Sequence, residues 1–364
     1  MRSIFLLLML TVMITEVNAQ NLSSPESMVY DERGKRYIVT NAANGKTGGN
    51  IVFYYPATRE YENFVVEGIN SPKGVVIFNN IAFITDVNMV KGFSLETSEL
   101  VFTMIVPGAT FLNDITNDGA ILYISDSAGN KLYKISIPDK DVSLLCDDKG
   151  LSRPNGIYYD KESNRLIICS YRANTTIQEF DLNMHMLSSI VSTSLSQLDG
   201  VARDKDGNYY FSSWASNAVY RFDPEFKEEP VEVSNGHFGP ADIFINQEAE
   251  ILAIPNFLSN EIDLIDIGEK SIEDEMNPFA IKIYPNPATT HFSIELLLEK
   301  ESMLEISLMS KSGRVMKQLK KDEMEAGVFS VKIEMGSLGI EKGIYFIKFV
   351  IDESVFMKRI IVLD

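Results

Sequence analysis

The chain has 364 residues, 45% of them apolar, only 2 Cys, and 33 Lys and Arg against 51 Asp and Glu, a formal charge of −18. It is too apolar for a disordered tail and too poor in cysteine for a disulfide scaffold. It is also too acidic for a nucleic-acid binder, which needs clustered Lys and Arg to neutralise phosphates. The charge is uneven: residues 277–364 carry 12 basic and 12 acidic side chains, and the first 19 carry one of each. The −18 therefore sits on residues 20–276, which predicts a domain boundary near Asn277.

In chain order, residues 1–19 read as a secretory signal. Arg2 supplies the positive start, Ile4 to Ile14 the apolar stretch, and Val17-Asn18-Ala19 the cleavage site before Gln20. No later apolar run is long enough for a membrane-spanning helix, so none is expected in the mature chain. In an exported protein Cys146 and Cys169 are free to pair, or to serve as small buried hydrophobes.

Residues 20–267 repeat. Six units open at Ser24-Pro25-Glu26, Ser71-Pro72-Lys73, Phe111-Leu112-Asn113, Arg153-Pro154-Asn155, Gln197-Leu198-Asp199 and Gly239-Pro240-Ala241. The intervals between their last residues are 47, 40, 42, 44 and 42. Each unit holds short apolar strands between Asp, Gly and Asn turns, with no helical period. About four strands per 42 residues is one propeller blade, so the expected fold is all-β: a six-bladed β-propeller. A two-sheet sandwich does not require six equal units.

In a propeller, equivalent positions form rings around the central channel. The residue opening each inner strand reads Glu26, Lys73, Asn113, Asn155, Asp199, Ala241. Four are oxygen donors, with no sulfur or imidazole, which suits a hard divalent cation such as Ca²⁺. Lys73 conflicts with a cation unless it turns away or pairs with Asp86, Asp114 or Asp242. A second column is expected on the same face where the second strand ends: Asn41, Asp86, Asp126, Tyr171, Trp214, Asn256. Lys73, Asp126, Tyr171 and Trp214 are then candidate substrate contacts. The acidic face is expected to repel a carboxylate product.

Leu112-Asn113-Asp114, Pro154-Asn155-Gly156, Leu198-Asp199-Gly200 and Pro25-Glu26 resemble the metal-binding signature of the senescence marker protein/gluconolactonase family, over about residues 24–267. The resemblance implies a six-bladed propeller with a divalent cation, usually calcium. It implies Glu26, Asn155 and Asp199 as ligands, Asn113 as ligand or substrate contact, and Asp199 also as the catalytic base for lactone or ester hydrolysis. That family carries Arg two residues before the Asn of the Asn-Asp pair, where this chain has Phe111. The run Asp126–Tyr133 also resembles NHL-repeat propellers, many of which only bind a ligand or partner at the cell surface.

Residues 268–277 are a polar linker. Beyond it, seven short strands over residues 278–364 predict a small Ig-like β-sandwich. Tyr284-Pro285-Asn286-Pro287-Ala288, Gly313-Arg314-Val315, Gly343-Ile344-Tyr345 and Lys358-Arg359-Ile360-Ile361-Val362 resemble the type A sorting domain of the type IX secretion system of Bacteroidetes. This implies engagement of that machinery through residues 278–364, passage across the outer membrane, and a secreted or surface location. The combined expectation is a secreted metal-dependent hydrolase of a lactone or ester. The competing one is a non-catalytic propeller, favoured by Lys73 and Phe111.

Overall fold

The computed structural model describes residues 22–42, 48–268, 279, 281–286, 288–310, 314–340, 342–352 and 354–362. The signal segment and most of the linker lie outside the described residues. The chain divides into two compact units after Asp266.

The first unit is six antiparallel sheets in chain order, spanning residues 25–65, 72–105, 112–146, 154–192, 198–235 and 244–266. The first five have four described strands, and the sixth has three. Their innermost strands are Pro25–Asp31, Pro72–Phe78, Leu112–Asn117, Pro154–Asp160, Leu198–Arg203 and Phe244–Asn246. Each neighbours the next, and the sixth neighbours the first, so the ring closes. The fold is the expected six-bladed propeller. Its core lies between blades: Ile38, Ile51 and Phe53 of blade 1 pack with Val75, Ala82 and Ile84 of blade 2. The second strands meet a neighbouring blade on both faces and are therefore apolar in continuous runs, such as Leu166-Ile167-Ile168.

Two repeated features build the channel mouth. In blades 1, 2, 4 and 5 the pairing of the inner with the second strand shifts register just after the opening Pro or Leu. In blade 3 the shift falls between Ile124 and Asp126, opposite the same place. A β-bulge re-aims a side chain, and here it re-aims the ring residues. The second feature is a hydroxyl or thiol near the end of the second strand. It donates to the backbone carbonyl of the next blade's ring residue: Thr40 to Lys73 at 2.7 Å, Thr85 to Asn113 at 2.5 Å, Ser125 to Asn155 at 2.7 Å, Cys169 to Asp199 at 3.1 Å and Ser212 to Ala241 at 2.7 Å. Blade 6 has Pro255 there. Its junction with blade 1 is made differently, by the Asp242 amide to the Glu26 carbonyl at 2.9 Å and by Ser27 Oγ to Asp242 Oδ2. Cys146 and Cys169 are both buried and free, so of the two expectations the small buried hydrophobe holds.

The second unit is a two-sheet sandwich. Lys282–Tyr284, His291–Leu298 and Gly327–Glu334 form one sheet. Val315–Met324, Ser302–Ser310, Gly343–Ile351 and Ser354–Val362 form the other. Phe292, Ile294 and Leu296 meet Leu304, Ile306, Ile347 and Phe349 in a single core. Strict alternation along His291–Leu298 puts every second side chain there. Among the described residues no helix is long and apolar enough to cross a membrane.

Candidate functional site

Three columns of the repeat converge on one cavity of about 170 Å³ at the channel mouth. The ring column contributes Glu26, Lys73, Asn113, Asn155 and Asp199. The position two residues earlier contributes Phe111 and Arg153. The residue just past the second strand's end contributes Ser127, Tyr171, Trp214 and Phe257. That last column is fixed by a repeated bond. The amides of Ser127, Tyr171, Trp214 and Phe257 donate to the carbonyls of Phe111, Arg153, Gln197 and Gly239 at 2.9, 3.0, 3.1 and 3.0 Å.

The expected second column is thereby corrected. Tyr171 and Trp214 belong to the lining, but Asn41, Asp86, Asp126 and Asn256 stand one residue earlier in register and do not line the cavity. Pro72 pairs with Asp86, Leu112 with Asp126, and Pro154 with Ser170, not Tyr171. A one-residue slip turns a side chain to the other face. Asp126 is fully buried, and its carboxylate accepts from the amides of Thr110, Phe111 and Gly129 at 3.0, 2.9 and 2.9 Å. It therefore holds the loop entering blade 3 and has no oxygen free for a substrate. Asp86 does the same for Ser71 in blade 2, and is paired with Lys91. Ser127 and Phe257, which the slip concealed, line the cavity instead.

Lys73 also differs from the expectation. It pairs with Glu26 itself, Nζ to Oε1 at 2.9 Å, not with Asp86, Asp114 or Asp242, and it lies 5.0 Å from the centroid of the Phe111 ring. The ring carboxylates are nearly sealed from water, at 3% exposure for Glu26 and 5% for Asp199. Burial raises the Glu26 pKa, and the Lys73 charge only partly opposes it. Burial also raises Asp199 well above its ordinary value, reinforced by the Glu26 charge, while Lys73 and the hydrogen bond from Asn155 pull the other way. Asn155 Nδ2 donates to Asp199 Oδ2 at 3.1 Å. Burial also lifts Asp114, whose carboxylate accepts from the amides of Ile115 and Ile157 at 2.6 and 2.7 Å, to about 7.

Several polar atoms in this lining are buried without a hydrogen-bond partner: Glu26 Oε2, Asn155 Oδ1, Asp199 Oδ1 and Trp214 Nε1. Among the described residues no three His, Cys, Asp or Glu side chains assemble as a metal cluster. A cation here would instead be held by a mixed set of two carboxylates and amide oxygens.

Away from the cavity, His237 is buried between Ser234 and Asp263. Its Nε2 is 2.8 Å from Ser234 Oγ, and its Nδ1 is 2.7 Å from Asp263 Oδ2. Sequence reading missed this array because its members lie in two blades and share no spacing with the repeat.

Residues 282–363 match the secretion system C-terminal sorting domain. The second unit is thus a type IX sorting domain, and the chain is built for export to the cell surface or beyond. No curated protein matches the chain by sequence. Among solved structures, a chain of a nidogen/laminin complex superposes with a TM-score of 0.55 at 15% identity, covering 61% of this chain and 88% of that one. The extracellular domain of a hybrid two-component system from B. thetaiotaomicron gives 0.49 at 12%, covering 95% and 52%. A catalytically inactive virginiamycin B lyase from Staphylococcus aureus gives 0.48 at 13%, covering 67% and 95%. At such identities the first likeness speaks for the fold alone.

Proposed function

We propose that the propeller is a secreted, divalent-cation-dependent hydrolase of a lactone or related ester, with Ca²⁺ the ion its donors suit best. The observation that carries this reading is the group of three unpartnered buried oxygens, Glu26 Oε2, Asn155 Oδ1 and Asp199 Oδ1, on side chains of one cavity. A buried acceptor left without a partner costs about 1–3 kcal/mol. Three together are best explained by a ligand that meets them. An all-oxygen set with two carboxylates fits a hard cation. Glu26 keeps Oε2 for it even while Oε1 is paired with Lys73. The resemblance of these positions to the senescence marker protein/gluconolactonase signature points the same way.

When bound, such a cation supplies Lewis-acid polarisation of a carbonyl and acidifies a water. The chain's own residues do the rest. Asp199, oriented by the hydrogen bond from Asn155 to its Oδ2, takes the water's proton when ionised. Asn113 orients the substrate from blade 3, and Tyr171, Trp214 and Phe257 keep bulk water from the site. The sorting domain brings the protein to the secretion machinery and is removed near the linker.

The test is the metal content of the exported protein and of Asp199→Ala, beside hydrolysis of a lactone and ester panel. About one divalent ion per chain is expected, with both ion and turnover lost in the variant. Unchanged hydrolysis by Asp199→Ala would overturn the mechanism. The Lys73–Glu26 pair favours a second reading, an ion-free propeller that only binds, because an ammonium at 2.9 Å competes for the same carboxylate. An exported protein with no divalent ion would support that reading.

A further inference from the structure

We propose that the ligand of this cavity carries a carboxylate, and that Arg153 receives it. The proposal rests on the cavity being the functional site, and stands whether that site hydrolyses its ligand or only binds it.

The position two residues before the ring holds Ser24, Ser71, Phe111, Arg153, Gln197 and Gly239. Ser24, Arg153, Gln197 and Gly239 share a left-handed backbone, with φ of 55, 49, 52 and 65°. That conformation is costly for a long side chain ahead of a proline. Since four blades adopt it, the backbone belongs to the fold, and the identity of the side chain is what varies. In blade 4 it is an arginine on the cavity lining. Its guanidinium carbon lies 5.3 Å from the centroid of the Tyr171 ring. The ring thus holds the charged head of this exposed side chain at the cavity, where its N–H groups can meet a ligand. Arg165 and Arg203, on the far end of blades 4 and 5, are both tied to Asp160. Arg153 makes no ion pair among the described residues.

The lining's charges then balance: Glu26 and Asp199 stand against Lys73 and Arg153. This is a local departure from a chain of net −18. On this formal count the mouth has no negative excess to repel a carboxylate. A carboxylate accepts two parallel bonds from a guanidinium. Trp214 Nε1, a buried donor without a partner in the same lining, offers a further bond to an acceptor on the ligand. The volume of about 170 Å³ equals roughly six waters. The part of the acid seated in the cavity is therefore small, one ring or a short chain lying along Tyr171, Trp214 and Phe257.

Trp214 is the only tryptophan, so fluorescence excited selectively at tryptophan, beyond the absorption of the 15 tyrosines, reports on the cavity. The exported protein would be titrated with benzoate against benzamide and hexanoate against hexanamide. In each pair the carboxylate should bind roughly tenfold more tightly than its neutral amide. Arg153→Leu should bring the ratio to about one with the melting temperature unchanged, and Arg153→Lys should keep part of it. Equal affinity for acid and amide, an unchanged ratio in Arg153→Leu, or no fluorescence response to any of the four at millimolar concentration would overturn the proposal. Metal content and Asp199→Ala turnover decide the hydrolase reading separately.

Discussion

Lys73 is the residue on which the competing readings of the cavity divide. Its ammonium pairs with the nearly buried Glu26, so a cation must share Glu26 with it. Replacing it by methionine keeps the stem and removes the charge. Lys73→Met should destabilise the metal-free protein by about 3 kcal/mol, because a buried carboxylate loses its partner. The same change should raise Ca²⁺ affinity several-fold, since a repulsive charge is gone. Calorimetric titration of both proteins checks this, and a weaker Ca²⁺ affinity in the variant would count against the cation site. The ring residues were legible in the sequence because each follows a Pro or Leu at a constant place in the repeat. The pairing of Lys73 was not, since which carboxylate it reaches depends on how a bulge turns Glu26.

Among the elements, the second strands carry the interblade bonds. The signal was present in the chain: Thr40-Asn41, Thr85-Asp86, Ser125-Asp126, Cys169-Ser170 and Ser212-Ser213 are one repeated pair, a small donor followed by a polar residue. The first member ties blade to blade. In the pairs that end in Asp86, Asp126 and Ser213, the second member ties down the entering loop. Ser125→Ala should cost about 1–3 kcal/mol, because it strands the Asn155 carbonyl, and a denaturant titration measures the loss. The strands themselves were readable from turn spacing. The register of the second strand was not, because bulges shift the pairing by one residue and alternation carries no count of insertions.

At the far end of blade 4, Asp160 accepts from Arg165 at 3.0 Å and from Tyr209 at 2.9 Å. Burial pushes its pKa up, but these donors and the Arg203 charge outweigh that and hold it below the ordinary 3.8. The stabilisation is therefore complete above about pH 4 and is lost as acid titrates the folded carboxylate. Asp160→Asn should lower stability at neutral pH and make acid unfolding less steep, as read by circular dichroism from pH 2 to 7.

For the whole molecule, charge asymmetry places a boundary near Asn277, and the two compact units divide after Asp266. The asymmetry arises because a solvated disc and a neutral sorting domain answer to different demands on solubility. The motifs around Tyr284 and Lys358 made the sorting domain readable, and the match over residues 282–363 bears out its class. Intact mass of the exported form should show roughly the last ninety residues missing, whereas a full-length chain outside the cell would contradict removal of the domain.

The ring has a seam. Five of its junctions are made by a hydroxyl or thiol from a second strand, and the sixth, at Pro255, is not. There the disc is fastened by Asp242 to Glu26 and Ser27, with Asn260 catching the Ser24 amide at 2.7 Å. Hydrogen exchange should find the Asp242 amide opening ahead of its counterparts in other blades. The cavity's carboxylates come from the strand that begins the ring and from the blade just before the last. Whatever binds between Glu26 and Asp199 therefore works as a clasp across this opening, and occupancy of the site should be felt first as slower exchange at the seam.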